Sequence, residues 1–368
     1  MAGHSADVIP TRSGPEERSG RLRVLLSELG ADSLLVSHLP NIRYLCGFSG
    51  SAGLLLVERT KSTLFTDSRY TFQAREEVIG ADVRIAKRGI LRALAEVLRD
   101  RRRRLRVAYS PAHMTVGEKQ LLERAGVRWV SDGNIVEKLR AVKDAEELSY
   151  IRKAAILISD VFRRTLPLIR SEVSELELAA EIERGVKRGG GSGPSFETIV
   201  ASGPRSAWAH ARPTSKLLRK SELVVLDQGA IIAGYCSDMT RTVHLGRASA
   251  KARSLYQAVL DAQHAGKQAI RPGATAGEVD RAARGSLKSS HLDRYFTHST
   301  GHGLGLEVHE MPRLGKGEQT VLCEGMVLTV EPGIYIEGLG GIRIEDDVIV
   351  TAHGYDNLTT APRDFLEL

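Results

Sequence analysis

Residues 223–245, LVVLDQGAIIAGYCSDMTRTVHL, carry two acidic residues, Asp227 and Asp238, inside runs that are otherwise apolar or β-branched. Two such runs separated by a short Gly-containing segment read as the strands of an antiparallel hairpin. With the turn near Ile232 and Ala233, the register predicts Asp227 directly opposite Asp238 on one face. Like charges opposed in a sheet repel one another, so this hairpin calls for a cation between them. A second stretch, VLTVEPGIYIEGLGGIRIEDDVIV (327–350), repeats the pattern. A turn centred on Gly338 predicts Glu331 opposite Glu345. A chain built this way is restricted to folds in which apolar hairpins deliver carboxylates to an interior place.

Between the hairpins lies HSTGHGLGLEVHE (298–310), with His298, His302 and His309 spaced by glycines. Glycine lets backbone approach a ligand closely. Taken singly, a buried Asp in a strand or a His beside glycines is more often structural. Taken together, Asp227, Asp238, His302, Glu331 and Glu345 make four carboxylates and one imidazole. Their four negative charges balance two divalent cations. Oxygen-rich ligation favours hard ions such as Mn²⁺. Two adjacent ions can polarise a carbonyl and supply a nucleophile from water.

The chain around these elements is long enough for two domains: 368 residues, 42% hydrophobic and 26% charged. Three cysteines, Cys46, Cys236 and Cys323, are too few and too scattered for a disulfide framework or a cysteine zinc site. No apolar run approaches the roughly 18 residues of a membrane helix. Met1 to Gly20 has no apolar signal core and reads as a mobile tail, so a cytoplasmic location is expected. Residues 21–138 alternate short strands with helices, the pattern of an α/β layer domain. Residues 139–368 read as helix pair, strands, helix pair, strands, a faint internal duplication. Ser174 with Glu177 forms a capping box at the start of one of these helices. The formal charge of +7 comes from the first part, where residues 1–143 hold 25 Lys and Arg against 16 Asp and Glu. The run Arg101 to Arg104 has no interleaved aromatics and reads as a solvated turn, so no nucleic-acid partner is expected. Gly189 to Pro194 lacks the Lys-Ser/Thr ending of a phosphate loop.

At its acidic residues the chain resembles the metal-dependent Xaa-Pro peptidases of the creatinase, aminopeptidase P and prolidase family. The matching pieces are AWAHARPT (207–214), LDQGAIIAGYCSDMTRT (226–242), HSTGHGLGLEVHE (298–310), EPGIY (331–335) and IRIED (342–346). Ala209 stands where the family commonly has proline. NIRYLCGFSGSAGLLLV (41–57) and TDSRYTFQA (66–74) resemble the N-terminal domain of bacterial aminopeptidase P-like proteins. The resemblance implies an α+β protein: a C-terminal pita-bread domain preceded by a smaller α/β creatinase-type domain. It implies Asp227 on a first metal ion, Asp238 and Glu345 bridging two ions, and His302 and Glu331 on the second. The ions would be Mn²⁺, with Co²⁺ or Zn²⁺ as alternatives. Glu331 would also shuttle a proton, and His309 would stabilise the oxyanion. His210 and His298 would line the substrate side, and Arg343 would orient a carboxylate of the substrate or of a Glu. The expected activity is removal of the first residue from peptides with proline second. The nearest alternative is a prolidase acting on Xaa-Pro dipeptides; a non-catalytic binding module is a remote one. A homodimer or higher oligomer is expected from the resemblance alone.

Overall fold

A computed structural model describes residues 14–100 and 105–368. The chain divides into two compact units, Met1–Arg140 and Ala141–Leu368. The arginine run at 101–104 lies outside the described residues, as does most of the expected N-terminal tail. The tail ends sooner than expected, because α1 spans Pro15–Glu28. Pro15 in the first turn, followed by Glu16 and Glu17, suits a helix start: proline lacks a donor that is unpaired there, and acids complement the dipole.

The first unit continues with β1 (Ser33–Val36), α2 (Leu39–Cys46), β2 (Leu54–Glu58), β3 (Ser62–Thr66), α3 (Thr71–Glu77) and β4 (Asp82–Ile85). It is completed by α4 (Ile90–Arg99), β5 (Arg106–Tyr109), α5 (Val116–Glu123), β6 (Arg128–Ser131) and α6 (Ile135–Ala141). The sheet order is β4-β3-β2-β1-β5-β6. Only β2 runs against its neighbours; β1, β5 and β6 are parallel. Leu35, Leu56, Phe65, Leu94, Leu98, Val107 and Leu122 form one buried core between sheet and helices.

The second unit opens with α7 (Ala145–Thr165) and α8 (Glu175–Arg188), the latter capped reciprocally by Ser174 and Glu177. Strands β7 (Ile199–Ser202), β8 (Glu222–Gln228), β9 (Ile231–Ile232), β10 (Tyr235–Cys236) and β11 (Met239–Leu245) follow. Then come α9 (Ala250–Gln268) and α10 (Ala276–Ser289), where Thr275 and Glu278 repeat the capping box. The chain ends with β12 (Gly301–Gly303), β13 (Glu310–Leu314), β14 (Val327–Val330), β15 (Gly333–Ile336), β16 (Gly340–Arg343), β17 (Asp346–Thr351) and β18 (Gly354–Asn357). Ile158, Phe162, Leu178 and Ile182 of the first helix pair pack on Val224, Leu226 and Val243. Val279 of the second pair packs with Leu328, Val330, Val348 and Val350. Two helix pairs on two strand groups is the pita-bread arrangement.

The first hairpin departs from its expected register by two residues. Thr240, not Asp238, faces Asp227, and Gln228 faces Met239. The turn consists of Ala233 and Gly234, both with positive φ (49° and 86°), between the paired Ile232 and Tyr235. That mirror-type turn matches strand twist better than a turn one residue earlier. Asp238 therefore stands diagonally from Asp227 rather than across from it. Side chains alternate faces along a strand, so an even shift keeps both carboxylates on one side. The second hairpin follows its expected register. Val330 faces Asp346 in one ladder and Gly333 faces Arg343 in the next, which leaves Glu331 and Glu345 opposed at the joint.

Candidate metal centre

Five side chains from five places in the second unit converge. Asp227 lies near the end of β8 and Asp238 just before β11. His302 sits in β12, Glu331 just after β14 and Glu345 just before β17. Asp238, His302 and Glu345 each offer a donor atom within 4.8 Å of the others. His302 Nε2 is 3.7 Å from Asp238 Oδ2 and 3.6 Å from Glu331 Oε1. The other ring nitrogen, Nδ1, bonds the Gly303 carbonyl at 3.0 Å. A carbonyl accepts only, so Nδ1 carries the hydrogen and Nε2 presents its lone pair to the carboxylates.

The acidic oxygens are oriented from behind. Arg343 Nη2 donates to Asp227 Oδ2 at 2.6 Å. Thr240 Oγ1 donates to Glu345 Oε2 at 2.7 Å and accepts from Arg343 Nε at 3.0 Å. The backbone N–H of Asp238 donates to Asp347 Oδ2 at 2.9 Å. The remaining oxygens Asp227 Oδ1, Asp238 Oδ1 and Glu345 Oε1 are buried and accept no hydrogen bond. Buried polar atoms are normally partnered, so three orphaned acceptors in one place point to a cation. The electrostatics agree. Burial, with Glu345 and Asp227 nearby, holds the Asp238 carboxyl well above the usual carboxylate range. Burial, with Glu331 and Asp227 nearby, does the same to Glu345. Glu331 is pushed up to about 8 by burial, with the Asp227 charge adding. Burial lowers His302 to about 4, leaving a neutral ligand. Four acceptor carboxylates and one neutral imidazole suit divalent cations.

A wall of ring side chains adjoins these residues. His298 Nε2 meets the Tyr335 hydroxyl at 2.9 Å, and that hydroxyl accepts from Arg343 Nη1 at 2.6 Å. Arg343 Nη1 also donates to the Ala209 carbonyl at 3.1 Å, which holds the segment leading to His210. His210 is exposed and stands near both His298 and His309. The His309 ring stands edge-on to His302 with centroids 4.4 Å apart. All nine residues singled out from the sequence thus fall on one connected region. The carboxylate beside Arg343 is Asp227, not a Glu. Tyr335, Thr240 and Asp347 were missed. Tyr335 ends the EPGIY motif and so was visible; Thr240 and Asp347 had no signal beyond lying in the acidic hairpins.

The model of metallopeptidase family M24 matches residues 149–352, and that of the creatinase/prolidase N-terminal domain matches residues 18–142. A Xaa-Pro dipeptidase of Pyrococcus furiosus is 35% identical over 353 residues, covering 95% of this chain and 100% of that protein. A solved structure of a Xaa-Pro dipeptidase from Bacillus anthracis superposes with a TM-score of 0.93 at 36% identity, over 96% of this chain and 100% of the other. The crystal structure of an X-Pro aminopeptidase from Thermotoga maritima gives a TM-score of 0.88 at 34% identity, over 95% and 99%.

Proposed function

Because the chain belongs to metallopeptidase family M24, we propose that it hydrolyses the bond between a residue and a following proline, acting as a Xaa-Pro dipeptidase. The observation that carries the hydrolytic reading is the set of orphaned, buried carboxylate oxygens grouped around His302 Nε2. In this reading Asp227, Asp238, His302, Glu331 and Glu345 would together hold the two ions, with Asp238 and Glu345 shared between them. Mn²⁺ is the first metal to try, given the oxygen-rich donor set. A metal pair would supply Lewis-acid polarisation of the scissile carbonyl and acidify water.

The protein's own groups do the rest. Glu331 takes the proton of the attacking water and delivers it to the leaving nitrogen. That nitrogen belongs to a tertiary amide, so its proton must come from such a donor. A neutral His309 donates N–H to the oxygen that gains charge. His298 and Tyr335 form the wall against which the substrate lies, and His210 stands at its rim. Arg343 fixes Asp227 and the Tyr335 hydroxyl.

The dipeptidase reading replaces the aminopeptidase expectation, which leaned on the 41–74 stretch. That stretch lies inside the matched creatinase/prolidase N-terminal domain, and both a dipeptidase and an aminopeptidase structure align over nearly the whole chain, so it does not favour the aminopeptidase. The names of the P. furiosus and B. anthracis relatives favour the dipeptidase. The T. maritima structure keeps the aminopeptidase as a second reading. Mn²⁺-loaded protein given equal amounts of Ala-Pro and Ala-Pro-Gly, followed by mass spectrometry, decides. Loss of Ala-Pro alone is expected. Loss of the tripeptide with release of Ala and Pro-Gly establishes the second reading. Survival of both peptides beside fully loaded protein overturns Xaa-Pro hydrolysis. The expected oligomer rests on the resemblance, and the expected cytoplasmic location on the few cysteines and the N-terminal sequence; among the described residues no helix is long and apolar enough to cross a membrane.

A further inference from the structure

The first unit carries its own cluster of ligating side chains. In its sheet, β1 has the parallel β5 on one side and the antiparallel β2 on the other. The chain leaves β1 toward β2, so the carboxyl ends of β1 and β5 bound a topological switch point. Open α/β sheets bind ligands in the crevice at such a point. A small cleft lies there, lined by Ser37, His38, Ser110, His113 and Asp132. His38, His113 and Glu137 each offer a donor atom, all within 4.8 Å of one another.

Glu137 is built as a ligand would be. Its Oε1 accepts a hydrogen bond from His113 Nε2 at 3.1 Å, and a zinc-sized ion would take the place of that hydrogen between two atoms already at about the right separation. Asn41 Nδ2 supports the same oxygen at 2.7 Å, and Arg140 Nη1 holds Asn41 Oδ1 at 2.6 Å. Such outer hydrogen bonds orient metal-binding carboxylates. The other oxygen, Oε2, is buried and accepts no hydrogen bond, and neither does Ser110 Oγ. Asp132 is 2% exposed, and burial, with Glu137 nearby, raises its carboxyl. Asp132 and two imidazoles line the cleft, and Glu137 adjoins the imidazoles. The imidazole rings stack with centroids 3.8 Å apart and planes 7° from parallel.

We propose that His113, Glu137 and His38 form a mononuclear site for a divalent cation of the zinc type. Two imidazoles and one carboxylate suit Zn²⁺ better than Mn²⁺ or Mg²⁺, and three protein ligands leave a fourth position for water or a small ligand. The reading does not depend on the acidic centre of the second unit.

The test is equilibrium dialysis of the full chain against buffered Zn²⁺, with elemental analysis of the bound metal. Wild-type protein is expected to hold about three ions per chain, and Glu137→Gln and His113→Gln about two each. Asp238→Asn, which disrupts the acidic centre, is expected to retain this zinc and to lose it on adding Glu137→Gln. Circular dichroism without zinc checks that each variant is folded. If the two first-unit variants hold as much zinc as wild type, the proposal is overturned. If wild type holds about one ion and Glu137→Gln holds none, the site stands and the dinuclear reading fails instead.

Discussion

Lys143 Nζ lies 3.2 Å from Glu310 Oε2, with 1% and 5% of the two side chains exposed. Glu310 follows His309, and its Oε1 accepts the backbone N–H of Glu307 at 3.1 Å. One buried ion pair therefore pins the loop that presents His309. Removing one partner strands a buried charge, which costs about 3–5 kcal/mol. Lys143→Met is expected to lower unfolding stability by about that amount in urea titrations. Adding Glu310→Leu should recover most of it, since no charge is then stranded. A single variant as stable as wild type would show that the pair carries no such weight.

Tyr335 joins His298 to Arg343 through one hydroxyl. Tyr335→Phe removes that oxygen and keeps the ring. The expected result is roughly a tenfold fall in kcat/KM on Ala-Pro, about 1.4 kcal/mol of transition-state stabilisation. Bound metal, measured by elemental analysis, should be unchanged. A drop in metal content would place Tyr335 in metal retention rather than in shaping the substrate wall.

The metal-free protein has its own pH signature. Glu331 sits at about 8 when folded, against an ordinary 4.5. Between those values the folded chain holds a proton that the unfolded chain has lost, so stability falls as pH rises through the window. Asp238 and Glu345 are raised as well and act in the same direction. Metal binding needs the carboxylates ionised, so added Mn²⁺ should stabilise more at pH 8 than at pH 5. Thermal melts in chelator and in Mn²⁺ read both slopes. Metal-free protein that is more stable at pH 8 than at pH 5 would contradict the repulsion argument.

Asp238→Asn removes one charge from the mutually repelling set. It is expected to abolish hydrolysis and strongly reduce bound Mn²⁺, because an amide cannot bridge two cations as a carboxylate does. In chelator at pH 8 the same variant should be more stable than wild type, by relief of that repulsion. Loss of activity without loss of metal would move Asp238 from ligand to another role.

The three cysteines differ sharply. Burial raises Cys46 to about 11 and Cys236 to about 12, while Cys323 is exposed. The thiolate is the reactive form. Native protein at pH 8 should therefore react with about one equivalent of a thiol reagent, and with about three once unfolded. Fast modification of a second thiol in the native state would mean that one of the buried sites opens.

Much of the site was legible in the chain because its information is local. A carboxylate inside an apolar β-branched run has few reasons to be there, and a hairpin relates residues a short loop apart. That is why the Glu331–Glu345 opposition follows from spacing around Gly338. The Asp227–Asp238 register did not follow, because choosing between turns one residue apart depends on backbone twist at Ala233 and Gly234. Helix α2 escaped for a similar reason: eight residues starting at Leu39-Pro40 are too few to show a period.

What the sequence by itself determined was the inventory: which residues are candidate ligands, which strands carry them, and the family they mark. Only the tertiary structure decided which partner each one has. Arg343 turns its guanidinium to Asp227, Thr240 and Tyr335 at once. Glu137 meets His113 across 24 positions and Lys143 meets Glu310 across 167. Contacts of that span depend on how whole elements pack, because desolvated charges settle only where packing delivers a partner, and no local pattern encodes that delivery.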